Sequence, residues 1–483
     1  MAEGNHEHHV VMFPWLAFGH MLPFCELSKK LAATKCVKIS FVSTPRNIAR
    51  LPKLPPNLSP HFDLVEMNLP STDGLPSGAE ATIDLKQQQQ VQYLKKAYDE
   101  LQGPVERLLD QIKPDFIVCD FAPSWIPGIA AKFKVPSAFF SVFPASFLTY
   151  VGPPSELRSG YRSKPEDYAV APNWIHFPST VAYRLFQATS YSKNIGLADI
   201  SGKSTAERMA KIVEGCDFVM VRGCREFACD MNVLTDIYQK PVLPIGLLPP
   251  QSSVGASSSI SNETTSDMFV WLDKQVPQTV VFVGFGSECK MAIDRVHELA
   301  YGIELSSLPF LWILRKPEEI DMSDLLPPGF EDRTSNRGLV CIGWAPQVEI
   351  LAHAAIGGCL FHSGWGTIIE SLNYGHNQIL LPMIADQGLN AKLLVEKGIG
   401  FEVERNEDGS FTRDAVAEAM RLVMVDPEGE HLRVKATQMR SIFSNQALHD
   451  GYINKFIDFL NDYKNQDHPS FAEAAKSELQ PDN

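Results

Sequence analysis

Short runs rich in β-branched and aromatic residues alternate along this chain with longer amphipathic stretches, and the alternation occurs twice. In the first half HHVVMF, VKISFVS, FDLVEM, DFIVCD, PSAFFS and CDFVMVR have strand composition. His20 to Ala33, Leu85 to Ile112 and Thr205 to Val213 carry apolar residues at helical spacing. In the second half TVVFVGFGS, FLWILR, GLVCIGW, GGCLFHSG, QILLPM and GIGFEVE are separated by predicted helices at Ala292 to Leu305, Thr367 to Tyr374 and Gln387 to Lys397. Strands joined through helices pair in parallel, because a parallel pair needs a long crossover, and the helices then cover both faces of the sheet. The expected fold class is α/β, with two Rossmann-like, doubly wound domains facing each other across a cleft.

The length of 483 residues agrees, since it exceeds what one hydrophobic core organises. The stretch LLPPQSSVGASSSISNETTSDM is rich in Ser, Pro and Gly and has no hydrophobic period, the composition of a linker. It is placed at 247–266, between a first domain at 1–246 and a second at 267–449. Residues 450–464 are expected to form a helix that packs back toward the first domain, and 465–483 to be a disordered tail. Open α/β sheets bind ligands beyond the carboxyl ends of their strands, so chemistry is sought there.

A net charge of −14, with no dense Lys/Arg block, argues against a nucleic-acid partner or an anionic membrane surface. Nine scattered cysteines without a CxxC pair fit neither a disulfide framework nor a zinc ribbon, so they are expected to be reduced and mostly buried. The first residues, MAEGNHEHHVVMFPW, lack the basic region of a signal peptide, and no window approaches the length of a membrane span. A cytosolic monomer is the expectation. No DxD pair suited to holding a divalent metal on a diphosphate is present, so no metal and no cofactor is expected.

The stretch Trp344 to Gln387, WAPQVEILAHAAIGGCLFHSGWGTIIESLNYGHNQILLPMIADQ, concentrates the polar chemistry. Strand GGCLFH runs into the turn SGWG and a helix beginning near Thr367, which offers unpaired N–H groups and a positive dipole end to a diphosphate. His362 can add a side-chain donor, Trp344 a flat face for a base, Glu370 an acceptor for ribose hydroxyls, and Asp386 with Gln387 partners for sugar hydroxyls. Gly366 allows close phosphate approach, and Thr367 can cap the helix or donate to phosphate. A second glycine turn, GFGS, ends in Ser287; it is not a dinucleotide fingerprint, because Cys289 stands where GxGxxG needs its third glycine. In the first half, His20 lies at the carboxyl end of strand one and Asp120 at the end of a later strand on the same edge. An imidazole there can take a proton from an acceptor hydroxyl while a carboxylate fixes its tautomer. Helix caps at both positions are the bland alternative.

The 44-residue stretch resembles the donor-binding signature of plant UDP-dependent glycosyltransferases, and the likeness runs along essentially the whole chain. The resemblance implies an inverting, metal-independent enzyme of GT-B fold whose co-substrate is a UDP-sugar and whose partner is a small-molecule acceptor. It further implies that Trp344 stacks on uracil, that Gln347 lies by the ribose, that His362 contacts phosphate and that Glu370 binds the ribose diol. Trp365, Asp386 and Gln387 would line the sugar; Ala345 and Gly364 belong to the same motif, and Ser287 to the phosphate-side turn. His20 and Asp120 match the family's catalytic pair. Terminal Gln387 resembles the pattern of glucose-type donors. The chain departs from the family at Gly366, where Asn is common. PWLAFGH, VGPPSE, GFGSE and the missing Asn resemble the subgroup that extends the sugar of an existing glycoside, such as a flavonoid or terpenoid glycoside. Transfer to a free aglycone, and a non-transferring UDP-sugar binder, are the alternatives. Aromatic loops at Phe121 to Trp125, Ser141 to Tyr150 and Phe186 to Asn194 are expected to face the acceptor.

Overall fold

The computed structural model describes residues 7–160, 162–227, 231–250, 263–286, 288–316 and 320–465. Two parallel sheets organise it. The first contains β1 (His8–Phe13), β2 (Val37–Ser43), β3 (Phe62–Glu66), β4 (Phe116–Cys119), β5 (Ser137–Ser141), β6 (Phe218–Val221) and β7 (Val242–Pro244), in the order β3-β2-β1-β4-β5-β6-β7. The second contains β8 (Val280–Gly284), β9 (Phe310–Leu314), β10 (Gly338–Ile342), β11 (Ile356–Phe361), β12 (Asn377–Leu380) and β13 (Gly400–Glu402), in the order β10-β9-β8-β11-β12-β13. Strands such as β4, β5 and β11 are buried at every position, as parallel strands covered on both faces must be, which is why they read as unbroken apolar runs.

The order reverses once in each sheet. In the first the reversal falls between β1 and β4, whose register pairs Phe13 with Cys119; in the second it falls between β8 and β11, pairing Gly284 with Phe361. At such a point the connections leave in opposite directions and open a crevice beyond the strand ends. The residues next in sequence, Pro14 onward and Asp120 in one sheet, Phe285 onward and His362 in the other, therefore line the crevices.

Four helices matter for the site: α1 (Phe18–Ala33), α2 (Trp365–Asn373), α3 (Gln387–Glu396) and α4 (Gln446–Asn465). A single apolar cluster runs from the first sheet (Val11, Phe139, Val221) to the second (Phe282, Phe361) and includes Trp365, so the two halves share buried surface. Helix α4 lies on the first sheet's other face, with Ile453, Phe456, Ile457, Leu460 and Tyr463 packed among Val10, Met12, Phe24, Phe116 and Phe218. Lys30 pairs with Asp450 at 2.8 Å, and Tyr463 donates to Asp217 at 3.1 Å.

Three expectations are corrected. The helix expected over Leu85 to Ile112 is divided into Val91–Asp99 and Gln102–Ile112. Pro104 explains the break, because its ring would clash with the carbonyl of residue 100 and it has no N–H to donate. Strand β7 was not anticipated, being three residues long. Helix α2 begins at Trp365 with Gly364 as its N-cap, so Thr367 is not the cap. The described cysteines are free, with Cys25, Cys119, Cys216, Cys224, Cys341 and Cys359 buried. Most of the expected linker and the expected tail, like Ser287 and Cys229, lie outside the described residues.

Phe456→Ala removes a ring from the cluster under α4 and is expected to cost about 3–5 kcal/mol. Exposed Lys455→Ala should stay within about 0.5 kcal/mol. Urea and thermal unfolding of both variants check this.

Candidate active site

At the first crevice the chain leaves β1 through Pro14 to Ala17, held by Tyr98, whose hydroxyl donates to the Pro14 carbonyl at 2.7 Å. Helix α1 starts at Phe18 with Ala17 as N-cap, and no side chain caps it, so His20 is not a capping residue. His20 Nδ1 instead donates to Asp120 Oδ2 at 2.8 Å. Asp120 is 1% exposed, and it also accepts from the backbone N–H groups of Trp15 at 3.1 Å and Phe121 at 2.7 Å. A buried carboxylate with three donors has a fixed position. The His20 ring lies 5.6 Å from Phe121 and 5.4 Å from Phe143, centroid to centroid. With Nδ1 committed, Nε2 is the nitrogen available for proton transfer, and no hydrogen bond engages it among the described residues. Burial pushes the imidazole pKa down, but the charge and hydrogen bond of Asp120, helped by Asp386 and Glu288, leave it raised overall. Those last two carboxylates belong to the second domain, so both crevices open into one space.

At the second crevice His362 follows β11. Its ring sits between two glycines: a Cβ at Gly286 would lie 2.9 Å from Cε1, and one at Gly364 would lie 2.5 Å from Nε2. Burial pushes its pKa down to about 4, only partly opposed by the Gly284 backbone, so the ring is neutral at pH 7. Ser363 takes a φ of 63°, which a non-glycine residue adopts only under constraint. Gly364 brings no side chain to the first-turn N–H groups of α2, and these keep their donors and the positive end of the dipole. Three buried polar atoms around this turn, His362 Nδ1, Ser363 Oγ and Asn390 Oδ1, have no hydrogen-bond partner among the described residues. A turn so equipped suits an anionic ligand with several oxygens.

One turn along α2, Gln347 Nε2 donates to Glu370 at 2.6 Å and to Thr367 Oγ1 at 3.3 Å. Burial raises the Glu370 pKa, against the Gln347 hydrogen bond and the charge of Arg222. Trp344 is 63% exposed, leaving an indole face free, and Ala345 is half-buried beside it. Trp365 departs from expectation. Its indole is buried against Phe227 and donates to the Arg222 carbonyl at 2.9 Å, so the ring belongs to the domain contact and only its main chain can serve a ligand.

The loop before α3 closes the site. Ala385 is held at φ 52°, and its carbonyl accepts from Tyr183 of the first domain at 2.9 Å. Burial raises Asp386 to about 6, although Asn390 and the charge of His20 pull the other way. Asn390 Nδ2 donates to Asp386 at 2.6 Å and to the Ser363 carbonyl at 3.1 Å, tying this loop to the turn after β11. Gln387 spends its carboxamide oxygen on the N–H groups of Met383 and Ile384, at 3.0 and 2.9 Å, and leaves its NH2 to donate.

Of the aromatic loops, Phe121 and Phe143 flank His20, whereas Trp125 and Tyr150 are core residues and Phe186 packs on Arg405. Asn390, Tyr98, Tyr183 and Arg222 were not anticipated. Asn390 carried a weak signal, four residues after Asp386 on a helix; the others act through tertiary contacts. Among the described residues no group of three or more His, Cys, Asp or Glu is placed to hold a metal ion, and no helix is long and apolar enough to cross a membrane.

Known proteins resemble this chain in sequence and fold. A family model described as UDP-glucoronosyl and UDP-glucosyl transferase matches residues 228–445. UDP-glycosyltransferase 91C1 of Arabidopsis thaliana is 43% identical over 454 residues, covering 94% of this chain and 96% of that protein. Soyasaponin III rhamnosyltransferase of Glycine max is 40% identical over 470 residues, covering 94% and 96%. Among solved structures, Glycyrrhiza uralensis UGT73P12 complexed with glycyrrhetinic acid 3-O-monoglucuronide superposes with a TM-score of 0.78 at 22% identity, covering 98% of this chain and 100% of that one. The fold, with its two facing sheets, is that of a GT-B glycosyltransferase. The chain belongs to the plant family 1 UDP-glycosyltransferases, enzymes that transfer a sugar from a UDP-sugar.

Asn390→Ala removes the neutral partner of a buried carboxyl group. It is expected to lower stability by about 1–3 kcal/mol and to move the Asp386 titration upward from about 6, as followed by carboxyl carbon NMR and chemical unfolding.

Proposed function

We propose that this enzyme transfers glucose, with inversion and without a metal, from UDP-glucose to a hydroxyl on the sugar of a flavonoid or terpenoid glycoside. The observation that carries the mechanism is the His20–Asp120 pair at 2.8 Å, within electrostatic reach of Asp386 on the opposite domain. His20 Nε2 accepts the proton as the acceptor oxygen attacks the anomeric carbon, and Asp120 stabilises the imidazolium that forms. The bond from that carbon to the UDP oxygen breaks on the far side, which turns an α-linked donor into a β-linked product. The departing charge is met by the first turn of α2 and by neutral His362. Trp344 faces uracil, Gln347 and Glu370 the ribose, Gly364, Gly366 and Thr367 the diphosphate, and Asp386 with the Gln387 NH2 the sugar. Ala345 and the Trp365 main chain complete that wall, and Ser287 serves the phosphate side.

Glycoside extension is supported by the relatives: one at 40% identity is named as a rhamnosyltransferase for soyasaponin III, a saponin and therefore a glycoside. Transfer to a free aglycone is the second reading, favoured by the Phe121 and Phe143 rings beside His20. The expected setting is the cytosol, with the enzyme a monomer.

The test offers UDP-glucose, UDP-rhamnose and UDP-xylose with flavonol and triterpene aglycones beside their monoglucosides, in the presence of a chelator, and follows products by mass. One added hexose on the monoglucosides alone is expected; hexose on aglycones alone supports the second reading, and loss of activity on chelation overturns metal independence. His20→Ala should lower turnover by about 10²–10⁴-fold and leave UDP binding unchanged; unaltered turnover contradicts the base assignment.

A further inference from the structure

A buried cation faces the first turn of α2, and the chemistry described so far does not use it. Arg222 follows β6 and is 4% exposed. Its Nε and Nη2 donate to the carbonyls of Leu247 and Leu248, at 2.9 and 3.1 Å, which fixes the guanidinium plane. Among the described residues no hydrogen bond engages Nη1 and no carboxylate pairs with the side chain. Nη1 instead faces α2: a Cβ on Gly366 would lie 3.7 Å from it. Gly366 is the first-turn position without a side chain, and Glu370, one turn on along the same face, is close enough for the two charges to act on one another.

This arrangement is electrostatically incomplete. Burial lowers the guanidinium pKa to about 10, so it is still charged at neutral pH. A desolvated cation without a directly paired anion is costly; Glu370 and Glu26 act on this one only through space, and it also faces another positive group, the uncapped amino end of α2. Two positive groups directed at one spot, beside the unpartnered His362 Nδ1 and Ser363 Oγ, call for an anion between them. No side chain among the described residues supplies one in direct contact with the guanidinium.

We propose that Arg222 is a diphosphate-binding residue of the donor site, contributed by the first domain, whose Nη1 donates to a phosphate oxygen of the UDP-sugar over Gly366. The inference rests on the reading that the diphosphate lies at the start of α2. The guanidinium takes the place in which the family resemblance leads one to expect an Asn side chain, and it brings a full charge where Asn brings none. Because its anchors, Leu247 and Leu248, lie just beyond the first sheet, donor affinity then depends on how the two domains meet.

The test compares UDP with uridine, which lacks the phosphates, by titration calorimetry. Arg222→Gln is expected to weaken UDP about 10- to 100-fold while uridine changes by less than about threefold, the size of a weak neutral contact. Adding Gly366→Asn to Arg222→Gln should recover part of the loss. Equal weakening of UDP and uridine, the signature of a structural role, or unchanged UDP affinity overturns the inference. Because Arg222 also holds two carbonyls and the variant can lose its fold, a crystal structure of the wild-type enzyme with UDP gives an independent reading. Nη1 is expected about 3 Å from a phosphate oxygen, or joined to one through a single water. Phosphate seated on α2 without that contact rejects the role of Arg222 and keeps the donor site, whereas UDP bound away from α2 rejects the donor site itself.

Discussion

Parallel strands whose order reverses leave an opening beyond their carboxyl ends, and this topological constraint determines where everything else in the molecule stands. The reversal between β1 and β4 sets Asp120 beside the exit of β1, where it can bond at once to Trp15, Phe121 and His20. The reversal between β8 and β11 sets His362 between Gly286 and the start of α2. Neither β1 and β4 nor β8 and β11 are close in sequence. A shared apolar core then holds the two openings against one another, and contacts such as Tyr183 to Ala385 and Thr82 to Glu288, at 2.9 and 2.8 Å, fix the facing loops.

Within that space the ionisable groups are held in different states by the same burial. His362 is kept neutral, Asp386 is raised to about 6, and His20, which burial alone would lower, is raised because Asp120 outweighs it. Groups pushed apart in this way can divide the labour of a transfer reaction, one accepting a proton while others donate hydrogen bonds. Local strain accompanies this: Ser363 and Ala385 both hold positive φ, and Asn390 bonds the carbonyl of one and the carboxylate neighbour of the other. Each such residue costs on the order of 1–3 kcal/mol, which well-packed surroundings offset.

Much of this was legible in the amino-acid sequence because it is written in local patterns. Strand runs such as DFIVCD and GGCLFH are short, apolar and bounded by turns, so twelve of the thirteen strands among the described residues could be read; β7 is too brief to leave a pattern. Asp120 and His362 directly follow β4 and β11 and were legible as soon as the strands were, and His20, in the first turn of α1 beyond the loop that follows β1, was legible from that strand-to-helix passage. The start of α2 was misjudged by two residues, because Thr367 is the better capping residue and the chain uses Gly364 instead, giving up a cap where donors face the cleft. The Trp365 ring packs in the contact between the domains, and nothing in SGWG says that Arg222 waits 143 residues away to accept its N–H. Arg222 was invisible for the same reason: its meaning lies in Leu247, Leu248 and Gly366, which only the fold brings to it.

The central claim is that an imidazole whose pKa is raised by Asp120 takes the acceptor's proton. The pH dependence of kcat/KM, which reports the free enzyme's essential groups, tests it most directly. Neutral His20 is the active form, so activity should be lost as pH falls through an inflection above the ordinary histidine value of 6.5 and should level off at higher pH. With Asp120→Asn burial acts unopposed by that charge, and the inflection of the residual activity should move to lower pH. A wild-type profile without such an inflection, or one that Asp120→Asn leaves where it was, would contradict the account.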